Sequence, residues 1–213
     1  MVRKICTEIS ISTLEQDLEK YVQKAVSLGA TDAKIITTDS VLIDERVRAK
    51  CIYPRCSQYG TCANCPPYVM ELDQVRKVVN RYKYAIFIRL VVSSKNEAGI
   101  GARDKKHYAK GMVLMHKIVS ILEAEAFYDG YYLALGFASG SCKRAFCPET
   151  DCNALIAGQR CRHSLRARAS VEAVGIDAFA MAARIGWDIY PIGASISPDE
   201  VPYGTKLGMV LIH

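Results

Sequence analysis

Eight cysteines in two tight groups constrain this chain more than any other feature. Cys51, Cys56, Cys62 and Cys65 fall within fifteen residues, and Cys142, Cys147, Cys152 and Cys161 within twenty. The ninth, Cys6, stands alone near the N-terminus, where a free thiol or a packing role is expected. Cysteines that serve only as small hydrophobes take periodic apolar positions. These instead sit among turn formers: Pro54, Gly60, Pro66 and Pro67 in the first group, Pro148 in the second. The basic start, Arg3-Lys4, is followed by no apolar run of a signal peptide. No apolar stretch reaches the roughly 18 residues of a spanning helix. The expected compartment is therefore the cytoplasm, where disulfides are rare, and an odd cysteine count argues the same way. Metal is the expected use of so many thiols.

The spacings narrow the metal. The first group reads C-x4-C-x5-C-x2-C and the second C-x4-C-x4-C-x8-C, with a proline directly after Cys65 and after Cys147. Structural zinc sites favour two knuckles of C-x2–4-C. Cys62 and Cys65 make one such knuckle, but the second group contains no C-x2-C pair. Iron–sulfur clusters take thiolates from irregular loops, and spacings of two and four with a following proline occur among their motifs. Two sets of four thiols suit two [4Fe–4S] clusters, with zinc as the alternative. The surroundings are basic. Arg46, Arg48, Lys50 and Arg55 flank the first group, while six bases face two acids over residues 142–168, within a net charge of +6. Arg48, Arg144, Arg162, Arg166 and Arg168 are expected to face an anionic cofactor, which cationic neighbours stabilise. A nucleic-acid surface is not expected, since aromatic residues are thinly interleaved with these bases.

The rest of the chain alternates in type. Thr13 with Gln16 reads as a capping box that opens a helix along Leu14, Leu18, Tyr21, Val22, Ala25 and Leu28 up to Gly29. Strands are expected over 33–37 and 41–43, then a loop over 51–68, a helix over 72–82 and a buried strand over 84–92. Asp104 is expected to cap the longest helix, to about Phe127, and Gly99, Gly101 and Arg103 form at most a weak anion loop before it. His107 and His116 stand nine apart, outside the i, i+4 spacing of a helical metal pair. A strand over 131–137 leads into the second cysteine group. Ser170 is expected to cap a helix ending at Gly186, followed by strands over 189–192 and 207–212. This order predicts an α/β fold: one layered domain over 1–213, with a mixed sheet and two cysteine-rich cluster-binding loops.

The motifs also carry a resemblance. Cys51-Ile-Tyr-Pro-Arg-Cys56-Ser-Gln-Tyr-Gly60, followed by Cys62-Ala-Asn-Cys65-Pro66-Pro67, resembles a family of predicted metal-binding proteins catalogued as a domain of unknown function and common in archaea and anaerobic bacteria. Gly140-Ser-Cys142-Lys, Cys161-Arg-His and Arg168-Ala-Ser170-Val-Glu172-Ala-Val-Gly175-Ile-Asp177 are similar to that family's C-terminal signature. The resemblance covers about residues 15–190. It implies a cysteine-ligated metal centre with these eight cysteines as ligands, and it implies no established reaction. The family's second segment often opens with a tighter C-x2-C than the Cys142–Cys147 spacing here. The chain is thus expected to be an iron–sulfur protein that carries electrons to or from a partner protein in anaerobic metabolism. An enzyme using a cluster as Lewis acid on a small anionic ligand, and a zinc-structured interaction protein, are the alternatives. A homo-oligomer stays open, and no membrane partner is expected.

Overall fold

The computed structural model describes residues 2–6, 8–100 and 105–213 and, within them, side chains other than those of 105–108. The expected cap at Asp104 and the loop residues Gly101 and Arg103 lie outside the described residues, as does the side chain of His107.

Two faces of one sheet organise the chain. Its strands are β1 (Asp32–Thr37), β2 (Tyr84–Val92), β3 (Leu135–Phe137) and β4 (Gly204–Leu211). They lie in the order β1-β2-β4-β3, and every ladder is antiparallel. The expected mixed character is confined to an isolated parallel bridge between Ala138 and Ser170. Alternate residues of a strand point to opposite faces, and both faces here are apolar. Ile86, Ile88 and Leu90 of β2 join Val210 and Ile212 on one side, under helices α1 (Ile11–Ser27) and α5 (Lys105–Tyr128). Ala85 and Phe87 join Leu207, Met209 and Leu211 on the other, against α3 (Leu72–Val79) and α7 (Ala178–Arg184). Covering both faces explains why β2 is a near-continuous apolar run instead of an alternating one. Each fully buried large side chain in these layers stabilises the fold by roughly 1.5–3 kcal/mol.

Local chemistry moves several expected boundaries. The first helix starts two residues before Thr13, because Ser10 is the cap: its Oγ accepts from the Thr13 backbone N–H at 3.1 Å. Its buried stripe, Leu14, Leu18, Tyr21 and Ala25, is the expected one. Residues 41–43 form no strand; only Ile43 pairs, in a single bridge to Ile176. Of 131–137 only the last three residues enter the sheet, since the Tyr131 hydroxyl is drawn to Asp17 on α1, at 2.8 Å. Ser170 caps a turn and not a helix. Its hydroxyl accepts from Ala173 N, but Gly175 then adopts φ +79°, and a Cβ there would sit 2.3 Å from Leu72. Asp177 restarts the chain as α7, accepting from Ala180 N at 2.9 Å. Residues 189–192 carry Pro191 and form no strand. Among the described residues no helix is long and apolar enough to cross a membrane.

Candidate metal centre

The first cysteine segment is not loop from its start. Asp44 Oδ1 accepts from Arg46 N at 2.7 Å and opens α2 (Glu45–Ile52), which carries Cys51 in its last turn. Charged residues 44–50 favour this helix, and Tyr53-Pro54 ends it. Arg48, one turn before Cys51, is buried, donates to the Met70 carbonyl at 3.1 Å and lies 3.7 Å from Glu71. The chain then winds through turns that Gly60 N closes onto the Pro66 carbonyl at 2.7 Å. Cys56 Sγ accepts from Gln58 N at 3.4 Å, while Cys62 and Cys65 are buried.

The second segment leaves β3 and starts a short helix at once. Ser141 caps α6 (Cys142–Phe146), its Oγ accepting from Lys143 N at 3.2 Å. Cys142 is buried, and Cys147, Cys152 and Cys161 are partly exposed on the turns that follow. Cys161 Sγ accepts from His163 N at 3.4 Å, repeating the amide–sulfur contact of Cys56. Arg168 ends the segment with a clip to α5. Its guanidinium donates to both Glu123 carboxylate oxygens at 2.7–3.0 Å and to the carbonyls of Ser164 and Ala167, while Glu123 Oε2 also accepts from Gly136 N at 2.6 Å.

The two segments, 76 residues apart in sequence, meet. Cys142 Sγ lies 4.0 Å from Cys62 Sγ and accepts from Asn64 Nδ2 at 3.5 Å. The Ser141 hydroxyl lies 3.5 Å from Cys65 Sγ and 3.7 Å from Cys62 Sγ, and donates to Gln58 Oε1 at 3.3 Å. Hydrogen bonds from Cys142 and Cys65 push the Cys62 thiol well below its usual range. Bonding to Cys62, with burial, pushes Cys65 and Cys142 up. Burial and the neighbouring Cys56 also raise Cys51, against the pull of Arg48. Two hollows adjoin this contact. An outer one of about 200 Å³ is lined by Cys51, Cys56 and Cys65, and an inner one of about 20 Å³ by Cys62, Cys142, Cys147, Cys152 and Cys161. All eight expected ligands therefore border one junction. Among the described residues no group of three or more His, Cys, Asp or Glu is drawn around a single ion.

The arginines divide. Arg144 lines the outer hollow and donates to Ser57 Oγ at 2.7 Å. Arg48 acts on Cys51 from within α2. Arg162 binds Thr150 Oγ1 and the Asp151 carbonyl at 3.2 and 2.8 Å, holding the second loop together. Arg166 is exposed, and Arg168 is committed to Glu123. Cys6 is remote from this junction: it is exposed and borders a separate hollow with Tyr82, Tyr132 and His213.

Residues 34–212 match the family model described as Predicted metal-binding protein (DUF2284). The chain belongs to this family. No curated protein and no solved structure matches it. The family match covers both cysteine segments and the sheet from Lys34 of β1 onward, so the junction is built by the matched region itself.

Several residues at the junction have no role that their type alone declares. Gln58, Asn64 and Ser141 lie within the two cysteine motifs as ordinary polar residues. His116 is fully buried behind the inner hollow; Arg168 N donates to its Nδ1 at 3.4 Å, and its ring meets Phe146 at 5.3 Å, which stacks on His163. Burial pushes its pKa down to about 4, so it stays neutral at physiological pH. Its spacing from His107 excluded a helical metal pair and carried no sign of this burial.

Proposed function

We propose that this protein binds two neighbouring [4Fe–4S] clusters at the cysteine junction and passes electrons between a partner protein and its redox pathway in the cytoplasm. The observation that carries the reading is the convergence of eight thiols, from two distant segments, on two adjoining hollows. The donor set suits iron and sulfide: every expected ligand is a soft thiol. Gln58 N and His163 N already donate to Cys56 and Cys161, the type of amide–sulfur bond that tunes cluster potential. Arg48 and Arg144 supply positive charge beside the first group. Clusters held here would supply one-electron transfer. Room at the inner hollow comes from moving the 147–161 loop outward, which neither the sheet nor a long helix anchors. The exposed Arg160, Arg162 and Arg166 form the face offered to an acidic partner, where steering depends on salt.

Anaerobic purification tests the reading. The expected protein is brown, absorbs at roughly 400 nm as cubane clusters do, and contains iron with acid-labile sulfide. Colourless protein with stoichiometric zinc and no iron would overturn it in favour of a zinc-structured role.

A further inference from the structure

Cys62 and Cys65 belong to one C-x2-C and touch each other, yet they line different hollows. Cys62 also meets Cys142 and lines the hollow of the second loop, and Cys65 lines the one that Cys51 and Cys56 share. The outer hollow thus has three thiols for a centre with four corners. The remaining polar wall includes Gln58, Arg144 and Glu172. Glu172 is the group whose position demands an explanation. The turn that carries it is rigid: Ser170 Oγ accepts from Ala173 N, Gly175 N donates to the Glu172 carbonyl at 3.0 Å, and Gly175 fixes the exit at φ +79°. Val171 and Val174 on either side are buried in the sheet's second core, so the turn leaves Glu172 facing the hollow, close enough for its charge to act on Cys51. Its carboxylate takes no hydrogen bond or salt bridge among the described residues. A half-buried carboxylate without a partner is costly unless a cation receives it.

We propose that Glu172 is the fourth protein ligand of the outer centre, completing a set of three thiolates and one carboxylate with Cys51, Cys56 and Cys65. This rests on the cluster reading above and deepens it. Oxygen is a harder donor than thiolate and holds iron less firmly among sulfide bridges. The Glu172 corner is then the exchangeable one, in the hollow that is large enough to admit a small ligand. Arg144 lines the same wall and offsets the added negative charge. The inner set keeps Cys62, Cys142, Cys147, Cys152 and Cys161, one thiol more than four corners require.

The test uses full-length protein purified anaerobically, with iron and sulfide analysis and EPR of the reduced state, before and after added cyanide. Glu172→Cys is expected to keep the iron content and change the signal of one centre. Glu172→Gln is expected to make that signal cyanide-dependent, at concentrations that leave the native protein and Glu172→Cys unchanged. Full iron content with no spectral change in either variant would overturn the proposal and leave the cluster reading standing. A native protein that responds to cyanide at the same concentrations as Glu172→Gln would also overturn it, because the fourth corner would then lie open. Native protein without iron fails the cluster reading itself, and the carboxylate assignment falls with it.

Discussion

The sheet with its two helical layers and the cysteine junction are built on opposite principles. In the sheet, Ile86, Ile88, Phe87 and Met209 are wholly covered by other carbon, and ladders run without interruption from Ala85 to Val92. In the junction, short turns replace ladders, and buried thiols meet one another and a single serine hydroxyl. Apolar burial is non-directional and stabilises a region by itself. A thiol cluster gains little from mutual contact, and its stability comes from what it binds. The junction is nevertheless not independent. Val171, Val174 and Ile176, which follow the second cysteine loop, pack in the same apolar cluster as Phe87, and Arg168 fastens that loop to α5.

The strongest challenge to this contrast is Phe87→Ala. Phe87 is fully buried and stacks on Trp187 with ring centres 5.2 Å apart, while the indole N–H donates to Asp32 at 2.7 Å. The expected loss is about 3–5 kcal/mol, read from urea unfolding. The junction should lose its protection in the same transition, since residues 171–176 stand on this ring's cluster. A metal-loaded junction that survives after the sheet has melted would break the dependence.

A smaller effect is expected from Glu123→Gln, which tests the fastening of Arg168 and touches the sheet only through Gly136 N. The change leaves the Arg168 guanidinium, 19% exposed in its side chain, without a carboxylate. Losing a charge-assisted pair of this kind costs roughly 1–3 kcal/mol. Hydrogen exchange should rise over 161–168 while β2 stays protected. Equal increases in both regions would show that Glu123 supports the whole domain and not the joint.

The smallest effect concerns acid and belongs to the helical layer. Burial pushes the Asp17 carboxyl up, but bonds from Arg3 and Tyr131 outweigh it and hold the group below its ordinary range. A lowered folded pKa means that the unfolded chain binds the proton first. The stabilisation is therefore full at neutral pH and disappears as pH falls through the carboxylate range. Asp17→Asn should flatten that part of the acid unfolding curve and leave metal content unchanged. Metal loss in this variant at neutral pH would couple α1 to the junction, which the contrast denies.

Much of the sheet sandwich was legible in the residues. The apolar run 84–92 specified β2 to the residue, and the 3.6-residue stripe of α1 named its buried face, because both signals are local and repeat. Caps were harder. Ser10 and Thr13 are both cap residues by type, and the hydroxyl that is used depends on where the chain enters the helix. Residues 41–43 and 189–192 have strand composition, yet a strand requires an open edge beside it, and only Ile43 finds even one bridge. The antiparallel order of the ladders was invisible, since it is set by which edge each long connection returns to.

For the candidate site, the sequence by itself determined the candidate donors: eight thiols in two groups, with basic residues nearby. Those follow from residue type and spacing alone. Only the tertiary structure decided which donors are neighbours. It set Cys62 against Cys142, placed Cys65 on the hollow that Cys51 and Cys56 line, committed Arg168 to Glu123, and brought Glu172 to the same hollow. The physical reason is that packing decides which surfaces meet: Cys62 and Cys65 touch each other and the Ser141 hydroxyl, and the fold brings Cys142 against Cys62 and the wall of Cys51 and Cys56 beside Cys65. Sequence distance carries no information about that packing once the sheet has folded the two segments together.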